Sequence, residues 1–434
     1  MEKINIFWFR RDLRLHDNCG LSHALKEGLP VLAIFIFDKN ILEDLDDKSD
    51  TRIGFIHQEL AELNLQLKDK GSLLKTIYSS PEKAFEDLIQ QFDIKAVYSN
   101  KDYEPYAISR DKSITELLNK KDVAFHSFKD QVIFEEKEIV KADGTPYLVY
   151  TPFSKKWLAT VTKEKLESYK SGLDFSNWYK ESFKRITPLE EMGFTKSKIK
   201  FPKKTVSNST LKTYEEERNI PGKDSTSKMG VHLRYGTASV RELCRQTEEV
   251  SLTYYKELIW REFFMMILFH FPHVVDQNYN SKYDGVKWRN NKEEFEKWCK
   301  GETGFPLVDA GMRELNETGF IHNRVRMLVA SFLTKHLLID WKWGEAYFAK
   351  KLLDYDLSSN NGNWQWCAGT GVDASPYFRV FNPTTQIEKF DKNHIYIRRW
   401  VKDLNNKSYP EPMVEHKFAR ERAISTYKEA INRV

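Results

Sequence analysis

Residues 360–366 read NNGNWQW, with two indoles at i and i+2 on a segment rich in asparagine and glycine. Paired indoles suit either stacking against a base or relaying an electron. Asparagine and glycine predict a polar, helix-breaking turn here. Asp354 and Asp356 just upstream add acceptors, so a cation loop has to be weighed. The spacing departs from the D-x-[DN]-x-[DN]-G pattern with a glutamate at the twelfth position, and neighbouring tryptophans disfavour a solvated ion. An aromatic, ligand-binding turn is the stronger expectation.

Two helical patterns carry further candidates. In ELIWREF at 257–263, a helix puts Glu257, Trp260 and Arg261 on one face, where an acid and a guanidinium are costly to bury unless paired with each other or with a ligand. A Glu–Arg pair capping a core tryptophan is the plain alternative. In HNRVRM at 322–327, Asn323 and Met327 stack four apart, flanked by Arg324 and Arg326. An amide with a soft thioether suits the edge of a planar heterocycle, and equally an ordinary helix interface. Two nucleotide-like strings fail on context. GTGVDA at 369–374 follows the tryptophan segment rather than a strand, and GKDS at 222–225 lacks the upstream glycine of a phosphate loop.

The elements that must position these residues fall into two kinds. Five β-rich runs, at 4–9, 31–37, 73–78, 94–99 and 123–128, alternate with amphipathic stretches such as 51–70 and 81–92. Near-continuous apolar strands between helices predict a doubly wound parallel sheet, an α/β domain over 1–130. Residues 131–205 mix GTPYLVYTPFSKKW with a lysine-rich TKSKIKFPKK stretch and read as an interdomain linker. From 206 to 434 the pattern is helical, with apolar residues at three and four spacing over 252–270, 292–300, 306–317, 321–338 and 343–353, which predicts an all-α second domain.

Composition narrows the function classes. The longest apolar run, 263–269, is far short of the roughly 20 residues of a membrane span. MEKINIFWF lacks the pattern of a secretory signal or transit peptide, so a cytoplasmic protein is expected. Cys19, Cys244, Cys299 and Cys367 form no CxxC pair, which points to reduced thiols and no metal site. Residues 1–130 carry 19 Lys+Arg against 23 Asp+Glu, while the remainder is net +9, so an anionic partner would meet the C-terminal part.

Taken together with WFRRDLRLHDN at 8–18 and PYFRVFNPTTQ at 376–386, these motifs resemble, over nearly the whole chain, the photolyase/cryptochrome flavoproteins, and among them the class I cyclobutane pyrimidine dimer photolyases. The resemblance implies an N-terminal α/β domain and a helical domain that binds FAD. Tyr214 and Thr226, Ser227, Lys228, Met229 and Gly230 would receive the FAD phosphates with Arg261. TSKMG stands where the family usually has T-S-x-L-S, so a backbone N–H would replace one hydroxyl at Gly230. Arg326 would pair with Asp354 beside the isoalloxazine, Asn360 would face its N5 edge, and Asp356 would complete that strip.

On the same resemblance, Trp260 and Trp366 would wall a cavity for a flipped-out dimer, and Glu257, Asn323 and Met327 would line it. Arg218, Arg324, Arg379 and Gln386 would hold the DNA. Trp364, Trp341 and Trp288 would form the electron chain to the flavin. The implied activity is light-driven electron transfer from reduced FAD to the dimer, with the electron returned after ring opening. The implied partner is damaged DNA, bound by a monomer. Asn323 and Met327, where enzymes for the 6-4 photoproduct carry histidines, favour the cyclobutane-dimer branch, and a blue-light photoreceptor is the alternative. Tyr106 and Ala107 stand where folate-binding members have Asn-Glu, leaving a deazaflavin, another flavin or no antenna as the second chromophore.

Overall fold

The five apolar runs near the N-terminus form parallel strands: β1 Lys3–Phe9, β2 Val31–Asp38, β3 Lys75–Ser79, β4 Asp93–Asn100 and β5 Ala124–Phe128. Their order in the sheet is β3-β2-β1-β4-β5, a doubly wound topology. Every residue of β2 is buried and β1 exposes only its first, as expected for strands covered on both faces, whereas the edge strands β3 and β5 are only partly buried. The register sets Ile6 beside Leu32 on one side and Val97 on the other. Ile4, Ile6 and Trp8 pack there with Ile34, Phe85 and Leu118.

This computed structural model describes residues 2–180, 186–197 and 199–432, and the chain divides into two compact units. The first comprises Met1–Glu135, Ala159–Thr205 and Lys228–Glu249; the second Glu136–Leu158, Val206–Ser227 and Val250–Val434. The stretch expected to be a linker, 131–205, is therefore shared between them. Its aromatic residues explain the difference: Phe153 and Trp157 are buried in the second unit, and Trp178, beside Val31, is buried in the first. Residues 181–185 and 198 of that stretch lie outside the described residues. The helices Gly230–Arg234 and Val240–Glu248, assigned by sequence to the helical domain, belong to the first unit. There Arg241 joins the buried carboxylates of Asp17 and Asp130.

The second unit is helical and its longest helix, Leu252–His270, has the bounds its periodicity predicts, capped by the Ser251 side chain. The expected helix 321–338 instead runs as Asn323–Ser331, continues as a wider π turn over Phe332–His336, and ends where Leu338 takes a positive φ of 50°. That turn delivers Lys335, almost fully buried, to the Ala368 carbonyl at 2.6 Å and to the face of Tyr427. Burial pulls its ammonium pKa down to about 7. Among the described residues no helix is long and apolar enough to cross a membrane.

Candidate functional site

NNGNWQW is not a turn. It lies inside the helix Leu357–Ala368, whose N-cap is Asp356, in extended conformation and accepting from Ser359 N at 3.1 Å. Asparagine and glycine suggested a break because composition does not register packing. A Cβ on Gly362 would meet the Phe264 ring at 2.2 Å, so this glycine admits the Leu252–His270 helix rather than ending its own. Gly369, at φ +85°, does the ending. A helix turns about 100° per residue, which sends residues two apart to different faces. Trp364 is accordingly buried against Phe348 and Trp298, while Trp366 is half-exposed. The indole of Trp364 has room because a Cβ on Gly344 would fall 2.1 Å from it.

This helix, the Asn323–Ser331 helix and the Asp354–Asp356 segment wall a cavity of about 100 Å³ that is partly open to solvent. Arg326 Nη2 donates to both oxygens of Asp354, at 2.9 and 3.1 Å. Asn360 gives its amide hydrogens to the Glu345 carbonyl and carboxylate, at 3.2 and 2.8 Å, so only its oxygen is left to meet a ligand and it must accept. Burial raises the Glu345 carboxyl pKa. Sequence reasoning missed this residue, although an acid four positions after Trp341 on an aromatic helix is the kind of signal that marks a buried partner. Met327, Phe348 and Trp364 supply apolar walls and Asn323 lies at the mouth. A planar heterocycle with a donor on one edge fits this set, as the ring of FAD requires.

A rim of guanidinium groups adjoins it. Glu257 pairs not with Arg261 but with Arg218, from the end of the Asn208–Glu217 helix. The next residue, Asn219, accepts from Arg324, whose guanidinium also lies 4.5 Å over Phe390. Burial, then Arg218 and Arg379, lower the Arg324 pKa, so three cations crowd one side and favour phosphate. Burial, then Arg326, Arg324 and Arg218, hold His322 neutral down to about pH 4. Gln386 sits on the Pro383–Phe390 helix that ends at Phe390. Trp260 stacks on Tyr150, centroids 3.6 Å apart at 7°, and also contacts the rings of Phe264 at 5.6 Å and Phe263 at 5.7 Å.

Of the remaining candidates, Tyr214 packs edge-on to Tyr254, whose hydroxyl lies 2.9 Å from Ser227 Oγ. Thr226 precedes Ser227 in the second unit, whereas Lys228, Met229 and Gly230 fall in the first; Lys228 has a φ of +54° and Met229 is buried. Arg261 lies on the same helix as Trp260. Trp341 shares the core cluster of Trp364 and bonds Asn278 through its indole N–H at 2.8 Å, and Trp288 lies edge-on to Tyr427 at 5.9 Å. Trp298, in ring contact with Trp364, was not singled out by the sequence. Among the described residues no three His, Cys, Asp or Glu side chains converge as a metal site. In the first unit, the Tyr106 hydroxyl donates to Asp38 and Ala107 is buried.

A family model described as DNA photolyase matches residues 5–170, and one described as the FAD binding domain of DNA photolyase matches 254–408. A deoxyribodipyrimidine photo-lyase of Agrobacterium fabrum is 36% identical, covering 97% of this chain and 97% of its own. The crystal structure of a class III photolyase from Agrobacterium tumefaciens superposes with a TM-score of 0.89 at 33% identity, covering 100% of this chain and 98% of that one. The structure of an archaeal photolyase from Sulfolobus tokodaii, described with two FAD molecules, gives 0.83 at 35% identity over 98% and 99%.

Proposed function

Since the chain belongs to the DNA photolyase family, the photolyase/cryptochrome flavoproteins, we propose that it is a light-dependent repair lyase that splits cyclobutane pyrimidine dimers in DNA with FAD as its chromophore. The observation that carries this reading is the cavity itself. An Arg326–Asp354 pair and an accept-only Asn360 line it, with Trp364 at its wall and Trp366 on another face of the same helix.

Arg326, Asp354, Asp356 and Asn360 hold the ring, and Tyr214, Thr226, Ser227 and Arg261 hold the phosphates. The chemistry that bound, reduced FAD supplies is donation of one electron to the dimer under light and its recovery after ring opening. The chain's own part is positioning and electrostatics. Trp260 and Trp366 stack the extruded bases, at roughly 1–3 kcal/mol each, and a dimer is already poorly paired, which reduces the cost of flipping. Glu257, Asn323 and Met327 meet its edges. Arg218, Arg324, Arg379 and Gln386 bind the flanking strand. Trp288, Trp341 and Trp364 carry electrons inward from the surface. The protein works as a cytoplasmic monomer, and its second chromophore is a deazaflavin, another flavin or none.

The test is purified, reduced protein with a dimer-containing oligonucleotide under blue light. Loss of dimer is expected; unchanged dimer content, with a light-dependent change in partner binding instead, would make the protein a photoreceptor. An absorption spectrum of the protein as purified shows whether an antenna is bound and which one, because flavin and antenna bands are separable.

A further inference from the structure

The GTGVDA string at 369–374, which binds no nucleotide on context, has another use. Asp373 holds a positive φ of 50°, a conformation that side-chain-bearing residues adopt at a cost. Its Oδ2 accepts from Tyr150 N, the first residue of the Tyr150–Thr160 helix, at 3.1 Å. Two residues on, Ser375 N donates to the Trp366 carbonyl at 3.2 Å, folding the loop back on its helix. Tyr150 in turn is fixed against the other tryptophan: its ring lies on Trp260, and its hydroxyl donates to the Lys256 carbonyl, one turn earlier on the same helix, at 2.9 Å. Burial, then Glu257, raise the phenol pKa, which keeps it a donor.

We propose that Asp373 and Tyr150 are positioning residues that link Trp260 to Trp366, fixing the separation of the two aromatic walls and thereby the preference for a dimer over undamaged DNA. The proposal rests on the repair reading above. Its physical content is preorganisation. An indole already clamped on a phenol loses little rotamer freedom when a base arrives, and walls held at one spacing favour a substrate of one thickness. Contacts to the DNA backbone lie outside this linkage, so they give affinity without selectivity.

The FAD-loaded protein and its Asp373→Ala, Asp373→Asn and Tyr150→Leu variants are titrated with dimer-containing and undamaged oligonucleotides of one length. Asp373→Ala removes a helix-capping acceptor and should raise Kd for the dimer about fivefold, leaving Kd for undamaged DNA within about twofold. Asp373→Asn keeps an acceptor and should restore most of the loss. Tyr150→Leu removes the clamp and should reduce selectivity at least as far. The effect should fall on KM for repair rather than on turnover at saturating DNA, with the flavin spectrum unchanged. Wild-type selectivity in both Asp373→Ala and Tyr150→Leu overturns the proposal, as does a parallel loss for both oligonucleotides. A wild-type protein that does not distinguish the two oligonucleotides sinks the repair reading itself.

Discussion

Replacing Glu257 by glutamine keeps the shape of the side chain and removes its charge. Its carboxylate is paired with Arg218, and the two side chains are 33% and 23% exposed, so little stability is at stake, under about 1 kcal/mol. The larger effect is on DNA. In the native protein the pair presents no net charge to a phosphate, while Glu257→Gln frees one guanidinium beside Arg324. One additional neutralised phosphate steepens the slope of log affinity against log salt by about 0.9. Between about 50 and 200 mM salt, undamaged DNA should then lose about threefold more affinity than with wild-type protein, starting from a tighter value. Binding of the dimer should gain less or fall, because the carboxylate that meets its polar edge is gone. Fluorescence anisotropy over a salt series, on both oligonucleotides, reads these slopes. An unchanged slope for Glu257→Gln would refute the idea that Glu257 restrains Arg218.

Trp364→Phe should abolish photoreduction of the oxidised flavin while chemically reduced protein still repairs, measured by flavin absorption and dimer content; intact photoreduction would point to another route, for which Trp298, in contact with Trp364, is the candidate. Gly362→Ala would gain about 1 kcal/mol in an isolated helix but here drives a Cβ into Phe264, so the melting temperature should fall by the equivalent of about 1–3 kcal/mol; a rise would contradict the packing described. His336 and His322 are buried neutral, with pKa values lowered to about 3 and about 4. The unfolded chain takes up those protons near pH 6.5, so stability is complete above that pH and declines as pH falls below it, at up to about 1.4 kcal/mol per unit for each histidine. Melts between about pH 5 and 7 should show this decline, and His336→Phe should flatten it.

Much of the fold was legible because periodicity is local. The strand β2 announces itself as an unbroken apolar run, β1 as one interrupted only by Asn5, and Leu252–His270 as a helix between a serine cap and a phenylalanine. Some of the candidate residues were also visible in one dimension, as indoles, amides and guanidinium groups crowded into three motifs, while Tyr214, residues 226–230, Arg218, Trp288, Trp341, Arg379 and Gln386 came only from the family resemblance. Their arrangement was not. Helical spacing set Glu257 beside Arg261, yet its partner is Arg218, thirty-nine positions away. Glu345 behind Asn360, Tyr150 on Trp260 and Asp373 beneath Tyr150 are likewise pairs that no spacing reveals.

NNGNWQW shows where the division falls. Its composition determined that two indoles and several amides would share one short segment. Whether that segment turned or coiled was decided by Phe264, which needs the space a glycine leaves, and by Asp356, which caps the first turn. Intrinsic preference at glycine and asparagine amounts to about 1 kcal/mol per residue, less than the packing of a long helix against it. Tertiary contact therefore made the segment a helix, and the helix sent Trp364 inward to the core and Trp366 to the half-exposed surface.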